Sequence, residues 1–221
     1  TGNGVYRFLG ALVPALNGQA NSGQPRPLLA ANEGDLLGLL MVCQGEDVAR
    51  ETVDFDELRG HLEEVSSSVE VVAVDNGSTD GTSRWLEELS QANPRVRVVH
   101  TDHILGDAAA KNIGLKQSLG RIVILLDTSV EVTEDLYTPL IRTLRDSRVG
   151  MAGPFGLVTT DLRHFDEVVD PTEVDAMQAY CMAFRRETVN TVGLMRECFR
   201  FYRNLDIDYC FQFKDKGYRI F

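Results

Sequence analysis

Residues 71–82 read VVAVDNGSTDGT, so an apolar strand passes directly into a polar turn and the start of a helix. In an open α/β sheet, a carboxylate just past a buried strand lies at the edge where ligands bind. Asp75 holds that position, and its two oxygens can accept hydrogen bonds from a nucleobase or from ribose hydroxyls. The same residues also fit an ordinary turn in which Ser78, Thr79 or Asp80 caps the helix.

Apolar runs and helical patterns alternate on both sides of this turn. The runs predict strands at 36–43, 69–74, 96–100 and 122–126. Helices are expected between them at 55–65, 82–92 and 108–118, and a further helix follows at 134–145. Connections of this length indicate an α/β protein with a three-layer, mainly parallel sheet. Beyond residue 150 we expect strands at 155–159 and 178–184 and a helix at 204–216 that Gly217 ends.

The composition narrows the class of protein. The chain has 221 residues, 43% hydrophobic and 25% charged, which excludes a disordered or low-complexity protein. Its 22 basic against 33 acidic residues give a net charge of −11, which disfavours nucleic acid as a partner. The apolar run at 36–43 is far shorter than the ~20 residues that span a bilayer, so we expect no transmembrane segment. The four widely spaced cysteines predict reduced thiols and a cytoplasmic location.

The domain organisation follows from where the pattern changes. Residues 1–35 are rich in glycine and predict an arm or edge hairpin, which a preceding module could supply. Residues 36–221 predict one α/β domain, truncated at its carboxyl end because the chain stops inside an expected strand. We therefore expect this chain to be a piece of a longer polypeptide.

Two further segments bring a charged side chain toward the same region. Residues 106–114 read GDAAAKNIG, whose small side chains let a helix approach another backbone while Lys111 carries a cation suited to a diphosphate. Residues 122–127 read IVILLD, so Asp127 emerges from a buried strand, where Mg²⁺ or Mn²⁺ takes carboxylate ligands. Taken singly, a solvated helical lysine and an ordinary strand-end aspartate fit these positions too.

A last segment places two aspartates at the start of a helix. Residues 205–209 read LDIDY, and positions two apart do not share a helical face. At most one of Asp206 and Asp208 therefore points into a cleft, while the other serves the helix end. The pattern also fits a simpler alternative, in which both aspartates only interact favourably with the helix dipole and each stabilises the helix by ~0.3–1 kcal/mol.

In this order, the segments resemble the family 2 glycosyltransferases of the GT-A fold. The resemblance covers roughly residues 36–221 and implies a Rossmann-like, three-layer fold with a mainly parallel central sheet. It also implies a nucleotide-diphospho-sugar as donor substrate. The matching residues are 74–82, then 106 with 109–114, then 125–129, then 185–186 with 192–193, and last 205–208 with 217–218.

The resemblance also assigns roles to four residues. It implies that Asp75 binds the nucleobase and that Lys111 belongs to the donor site, where the family usually has an arginine. Asp127 would open the Asp-x-Asp motif that binds metal and donor, and Asp206 falls on the catalytic base. Near a helix start, we expect the dipole to hold Asp206 as an anion and to lower its basicity.

One departure from the family pattern concerns the metal. Ser129 takes the place of the second aspartate of the motif, and a hydroxyl is a poorer ligand for Mg²⁺ or Mn²⁺ than a carboxylate. Glu131 is an alternative carboxylate on the same side of an extended segment. We therefore expect a low or unusual metal requirement.

The function predicted from these residues is inverting transfer of a sugar to an acceptor hydroxyl, the acceptor being a glycan, a lipid or a protein. The alternative is a non-catalytic module that binds a sugar nucleotide or a glycan, which the altered Asp-x-Asp motif favours and Asp206 opposes. A nucleotidyltransferase would share the sheet. It is disfavoured because no glycine-rich phosphate loop follows the first strand.

Overall fold

The computed structural model describes residues 37–43, 69–127, 137–168, 172–199 and 204–221. The strands are β1 Leu37–Cys43, β2 Val69–Asp75, β3 Val96–His100, β4 Ile122–Leu126, β5 Val149–Ala152, β6 Gly156–Val158, β7 Asp166–Val168, β8 Ala176–Met177, β9 Cys181–Arg185 and β10 Arg219–Ile220. The helices are α1 Thr82–Ala92, α2 Asp107–Gln117, α3 Tyr137–Thr143, α4 Val189–Val192 and α5 Leu205–Asp215. A 3₁₀ turn at Arg186–Thr188 precedes α4.

The large sheet has seven strands in the order β10-β5-β9-β4-β1-β2-β3. Every pair in it is parallel except those that β9 makes with β4 and β5. Strand β1 lies between β2 and β4 and is in parallel register with both. A second sheet has the order β7-β6-β8 and is antiparallel. The α/β architecture with a mainly parallel central sheet, predicted from the alternating pattern, is confirmed.

Helices cover both faces of the large sheet, as the side chains of β4 show. Val123 and Leu125 pack on one face in a core that includes residues of α2 and α5. Ile124 and Leu126 pack on the other face with residues of α1 and α3. Because successive strand residues point to opposite faces, an uninterrupted apolar strand such as β4 is one that is buried on both sides. The arrangement therefore has three layers.

The structure differs from the expected elements mainly after residue 150. The strand expected at 178–184 is replaced by the short β8, a turn, and β9 from Cys181. Strand β5 was not expected, since the sequence VGMA carries no period-2 pattern. The expected helix at 55–65, the arm at 1–35, and Ser129 and Glu131 lie outside the described residues. Within the described ranges, no helix is both long enough and apolar enough to cross a membrane.

Candidate functional site

The site is built on the edge where the parallel strands end. Strands β2 and β4 flank β1 and run in the same direction, so Asp75 and Asp127 emerge at one edge of the sheet. Neighbouring strands are ~4.8 Å apart, which puts these two backbone positions about 10 Å from each other across β1. This is the distance over which an extended ligand can contact both residues.

Asp75 is almost fully enclosed by hydrogen-bond donors from its own turn and from β3. Its side chain is 2% exposed. The backbone N–H of Ser78 donates to Oδ1 at 3.1 Å, the Ser83 hydroxyl donates to Oδ2 at 2.5 Å, and Nδ1 of His100 lies 2.8 Å from Oδ2. Burial alone would raise the pKa of Asp75, but these hydrogen bonds outweigh it and hold the pKa below its usual range. Asp75 is thus an ionised carboxylate that its hydrogen bonds hold in place.

The turn after β2 also organises the loop that follows β3. The buried Asn76 accepts a hydrogen bond from the backbone N–H of Leu105, and Thr101 donates to the backbone oxygen of Asp75. Gly77 has φ of 71°, and a Cβ there would lie 2.7 Å from the backbone of His103. Only glycine permits this approach. The helix-capping alternative is wrong, since Gly81 is the N-cap of α1 and no side chain caps it. Asp80 instead accepts at Oδ1 from the N–H of Thr82, two residues ahead, a hydrogen bond that belongs to the turn.

His100, at the end of β3, links two carboxylates. Its Nδ1 lies 2.8 Å from Asp75 and its Nε2 lies 2.8 Å from Oε1 of Glu87 on α1. Burial lowers the pKa of His100, but the hydrogen bonds to the two carboxylates outweigh burial and raise it overall. The protonated ring donates from both nitrogens, so the positive form ties β2, β3 and α1 together.

The His100 bridge predicts a pH dependence of stability. A histidine whose folded pKa is raised adds stability that is fully present below its ordinary pKa of 6.5 and is lost as pH rises through the folded value. We expect wild type to be more stable than His100→Gln at about pH 5.5 and the difference to shrink by about pH 8.5. Urea denaturation at both pH values measures it. His103→Gln, which removes an exposed histidine, is the control. A His100→Gln difference that does not change with pH would contradict the assignment.

Helix α2 brings Lys111 to the same region. Its side chain is only 12% exposed, and Nζ donates to Oδ2 of Asp107 at 2.5 Å. Lys111 is therefore not the solvated helical lysine of the alternative interpretation. The helix approaches β1 closely because Gly114 faces Leu40, and a Cβ at Gly114 would overlap that side chain. The expected role of the small residues at 106–114 is in this respect confirmed.

A turn before β9 joins Asp127 to Asp206. The backbone N–H of Asp127 donates to the carbonyl of Tyr180 at 2.9 Å. The preceding residue, Ala179, donates its N–H to Oδ2 of Asp206 at 3.1 Å. Two adjacent residues thus hold the end of β4 and the start of α5 against each other. Lys111 is near enough to Asp206 to lower its pKa by charge attraction.

The environment of Asp206 differs from the expectation based on the helix dipole. Burial raises the pKa of Asp206. The N–H groups of Ile207 and Ala179 and the charge of Lys111 oppose this rise but do not cancel it. The expected lowering of basicity is therefore wrong, because the loss of solvent outweighs the donors at the helix start. The result is a carboxylate with increased affinity for a proton.

The two aspartates at the start of α5 point to different partners. Asp206 contacts the turn before β9, as described. Asp208 instead accepts from Nη1 of Arg196 at 2.6 Å and from Nε2 of Gln212 at 2.9 Å. Positions two apart on a helix lie on different sides, so this separation is what the sequence spacing predicts.

The described part of the chain contains no group of three or more His, Cys, Asp or Glu side chains that could hold a metal ion. Asp127 is the motif carboxylate that the structure describes. Mg²⁺ is commonly held by one or two carboxylates together with substrate phosphates and water, so Asp127 fits as one ligand of such a set. The described residues do not by themselves form a complete metal site.

A cavity of about 560 Å³ lies away from these carboxylates. Arg121 and Arg186 line it, and they flank the start of β4 and the end of β9. That is the edge opposite Asp75 and Asp127, since β9 runs antiparallel to β4. The cavity is therefore separate from the candidate site.

Sequence analysis missed three contributors to the site. His100 and Glu87 form the bridge to Asp75, and the turn at Ala179 holds Asp206. The alternation of β3 could have shown that His100 ends a strand beside Asp75. Nothing in the sequence indicated the turn, since the residues around it are apolar and read as one continuous strand.

Comparison with known proteins is consistent with this geometry. A family profile described as Glycosyl transferase family 2 matches residues 55–203. Glycosyltransferase GlyG of Streptococcus pneumoniae serotype 4 is 28% identical over 85 residues, which cover 38% of this chain and 28% of GlyG. The chain thus spans less than a third of that relative.

Two solved structures share the fold. The crystal structure of GalNAc-T7 with UDP, GalNAc and Mn²⁺ aligns with a TM-score of 0.66 at 16% identity and covers 84% of this chain and 41% of its own. Mannosyltransferase PcManGT from Pyrobaculum calidifontis, in complex with GDP-Man and Mn²⁺, aligns with a TM-score of 0.61 at 16% identity. That alignment covers 99% of this chain and 62% of the mannosyltransferase.

The strand-end carboxylates, the sheet order and the structural neighbours agree with one another. The GT-A fold implied by the sequence resemblance is confirmed. Since the family profile matches more than half of the 221 residues, the chain belongs to glycosyl transferase family 2.

Proposed function

We propose that this chain transfers a sugar, with inversion at the anomeric carbon, from a nucleotide-diphospho-sugar to an acceptor hydroxyl. The observation that carries the proposal is the environment of Asp206, which lies beside the end of β4 with its pKa raised by burial. Family membership, the GDP-Man bound in one neighbouring structure and the UDP and GalNAc bound in the other support the donor class.

In this mechanism Asp206 acts as the base. Its carboxylate takes the proton of the acceptor hydroxyl, and the acceptor oxygen forms a bond to the anomeric carbon. The bond from that carbon to the diphosphate oxygen breaks on the opposite face, and the nucleoside diphosphate leaves with the electron pair. A single displacement needs one protein base, and a raised pKa increases proton affinity near neutral pH.

In this proposal the nucleotide-sugar donor binds at the edge of the sheet between the ends of β2 and β4. Asp75 contacts the nucleobase in this proposal, because it is the last residue of β2 and lies at the edge of the sheet where ligands bind. Asp127, at the end of β4, lies between β2, which carries Asp75, and the turn before β9, which holds Asp206. In this proposal it meets the diphosphate together with Lys111, whose helix packs against β1 and β2. When bound, Mg²⁺ or Mn²⁺ would supply charge compensation for the leaving diphosphate, with Asp127 as a ligand.

The domain boundaries remain part of the proposal. We propose that residues 36–221 belong to the transferase domain and that residues 1–35 are an arm or edge hairpin outside it. The cytoplasmic location predicted from the cysteines stays a prediction.

The test uses the full chain with UDP- and GDP-sugars. Thermal shift with UDP and GDP detects the donor site, since a ligand at 100 times its Kd adds ~2.7 kcal/mol to stability. We expect hydrolysis or transfer of one donor and, by proton NMR, a product of opposite anomeric configuration. A retained configuration would refute inversion. Binding of a nucleotide without hydrolysis or transfer would instead support the non-catalytic sugar-nucleotide module.

Lys111→Gln is expected to change the pH dependence of this reaction. The positive charge of Lys111 lowers the pKa of Asp206, so its removal raises that pKa further. Because the base must be deprotonated, the acid limb of the kcat/KM profile should move to higher pH. The exposed Lys116 lies on the same helix, and Lys116→Gln should leave the limb in place. Coincident profiles for Lys111→Gln and wild type would contradict the coupling.

A further inference from the structure

Two exposed aromatic side chains form a pair beside the candidate site. Phe155 is 36% and Tyr180 45% exposed, and their rings meet edge to face with centroids 5.4 Å apart. The other large apolar side chains exposed in the described ranges are aliphatic: Ile104, Leu119 and Leu162. The two rings form one continuous apolar surface, unlike apolar residues that are scattered singly.

The backbone ties this aromatic pair to both carboxylates. The carbonyl of Tyr180 accepts from the N–H of Asp127, and the N–H of the preceding Ala179 donates to Asp206. The carbonyl of Phe155 accepts from the N–H of Gln178 at 2.9 Å. Tyr180 is thus the neighbour of Ala179, whose N–H holds the proposed base, and Phe155 is hydrogen-bonded to Gln178, the residue before Ala179.

The pair lies on the acceptor half of the edge. Phe155 leads into β6 of the small sheet, and Tyr180 leads into β9, on the side of β4 away from Asp75. The proposed nucleotide contact is on β2, two strands beyond β4. A molecule that rests on the two rings would thus approach Asp206 from the side opposite the nucleotide.

We propose that Phe155 and Tyr180 form an acceptor platform that binds a pyranose ring, so that the acceptor ends in a sugar. The inference rests on the proposed transferase function and adds the class of acceptor to it. The C–H face of a pyranose is apolar and carries partial positive charge, which suits the negative face of an aromatic ring. The hydroxyls at the rim of the sugar stay outside this contact, which leaves one of them free to face Asp206.

Polar side chains that can hydrogen-bond to the hydroxyls of the sugar lie close to the two aromatic rings. Gln178 lies next to the turn and donates from Nε2 to Oε1 of Glu167 at 3.0 Å, with both side chains near solvent. Amide and carboxylate groups at an aromatic surface give orientation and specificity to a ligand that stacks on it. A simple acyl chain would use the rings but not these groups.

The experiment measures binding of methyl β-D-glucopyranoside, methyl β-D-galactopyranoside and methyl α-D-mannopyranoside to the full chain by saturation-transfer NMR. We expect at least one glycoside to bind through its C–H protons, with Tyr180→Ala and Phe155→Ala each weakening binding by about tenfold. Tyr180→Phe should bind like wild type. The matched control is Leu119→Ala, which removes a side chain of similar exposure, 42%, just past the far end of α2.

Two further measurements separate this inference from the proposed function. The thermal shift with UDP and GDP and the hydrolysis of the donor are measured in wild type, and both should be unchanged in the control Leu119→Ala. If these are intact but no glycoside binds, or if binding is equal in wild type and both alanine variants, the platform is refuted while the transferase proposal stands. If nucleotide binding and hydrolysis are absent in wild type, the transferase proposal fails, and the platform as an acceptor site fails with it.

Discussion

Asp206→Asn is expected to lower the turnover of sugar transfer by about 10²–10⁴-fold, the range that a positioned general base contributes. Asparagine keeps the shape of the side chain and can still accept from the N–H of Ala179. It cannot take a proton from the acceptor hydroxyl. Removing a buried carboxylate with a raised pKa also removes an unfavourable charge, so we expect the fold to be retained or slightly stabilised.

The matched control is Asp208→Asn, two residues further along α5. Asp208 contacts Arg196 and Gln212 rather than the turn before β9. The two variants lose the same charge at the same helix start, so a dipole effect alone would affect them equally. Thermal shift with UDP and GDP should be normal in both. Turnover of Asp206→Asn within tenfold of wild type, with nucleotide binding intact, would remove Asp206 from the role of base.

Arg185→Met is expected to lower the free energy of unfolding by roughly 3–5 kcal/mol, which would be a large share of the stability of a domain. Arg185, at the end of β9, is buried. Its guanidinium donates to the backbone oxygens of four residues around the end of α3 and the start of β5. These are Leu144 at 2.5 Å, Asp146 at 3.3 Å, Ser147 at 3.0 Å and Val149 at 2.7 Å. Methionine fills the space but leaves those carbonyls without their donor.

Urea denaturation measures the loss of stability, and two further variants serve as comparisons. Arg185→Lys should have a free energy of unfolding between those of wild type and Arg185→Met, or as low as that of Arg185→Met. One ammonium group cannot reproduce the planar set of donors that a guanidinium provides. Arg148→Met removes an exposed arginine that pairs with Asp146, so its effect on the free energy of unfolding should be small. A midpoint for Arg185→Met equal to that of Arg148→Met would show that the guanidinium does not hold this corner of the fold. This role agrees with the absence of any catalytic assignment to Arg185 from the sequence.

Much of the large sheet could be predicted because its first four strands are largely apolar runs. The predicted bounds of β3, β4 and α1 coincide with those of the structure, and β1 and β2 differ by one residue. These elements are buried on one or both faces, so the hydrophobic period alone determines them. The position of Asp75 and Asp127 at the strand ends followed directly.

The region from β5 to β9 could not be predicted in the same way. Its strands have two to five residues and pair with partners far away in the chain, so their existence depends on contacts that a local pattern does not contain. The enclosure of Asp75 by His100 and the burial of Asp206 are likewise tertiary effects. For Asp206 the local rule, a helix dipole that favours the anion, gave the wrong direction of the pKa change, because burial of the carboxyl outweighs the backbone donors around it.

The reversed direction of β9 has a consequence for how such a protein can diversify. Every parallel strand delivers its last residues to the ligand edge, but β9 delivers its first, together with whatever segment precedes it. That segment includes the exposed loop 160–164, which can therefore vary in length and composition while the strands that carry Asp75 and Asp127 keep their register. A change in what binds beside β9 would thus leave the strand ends on the other side of β4 unaltered.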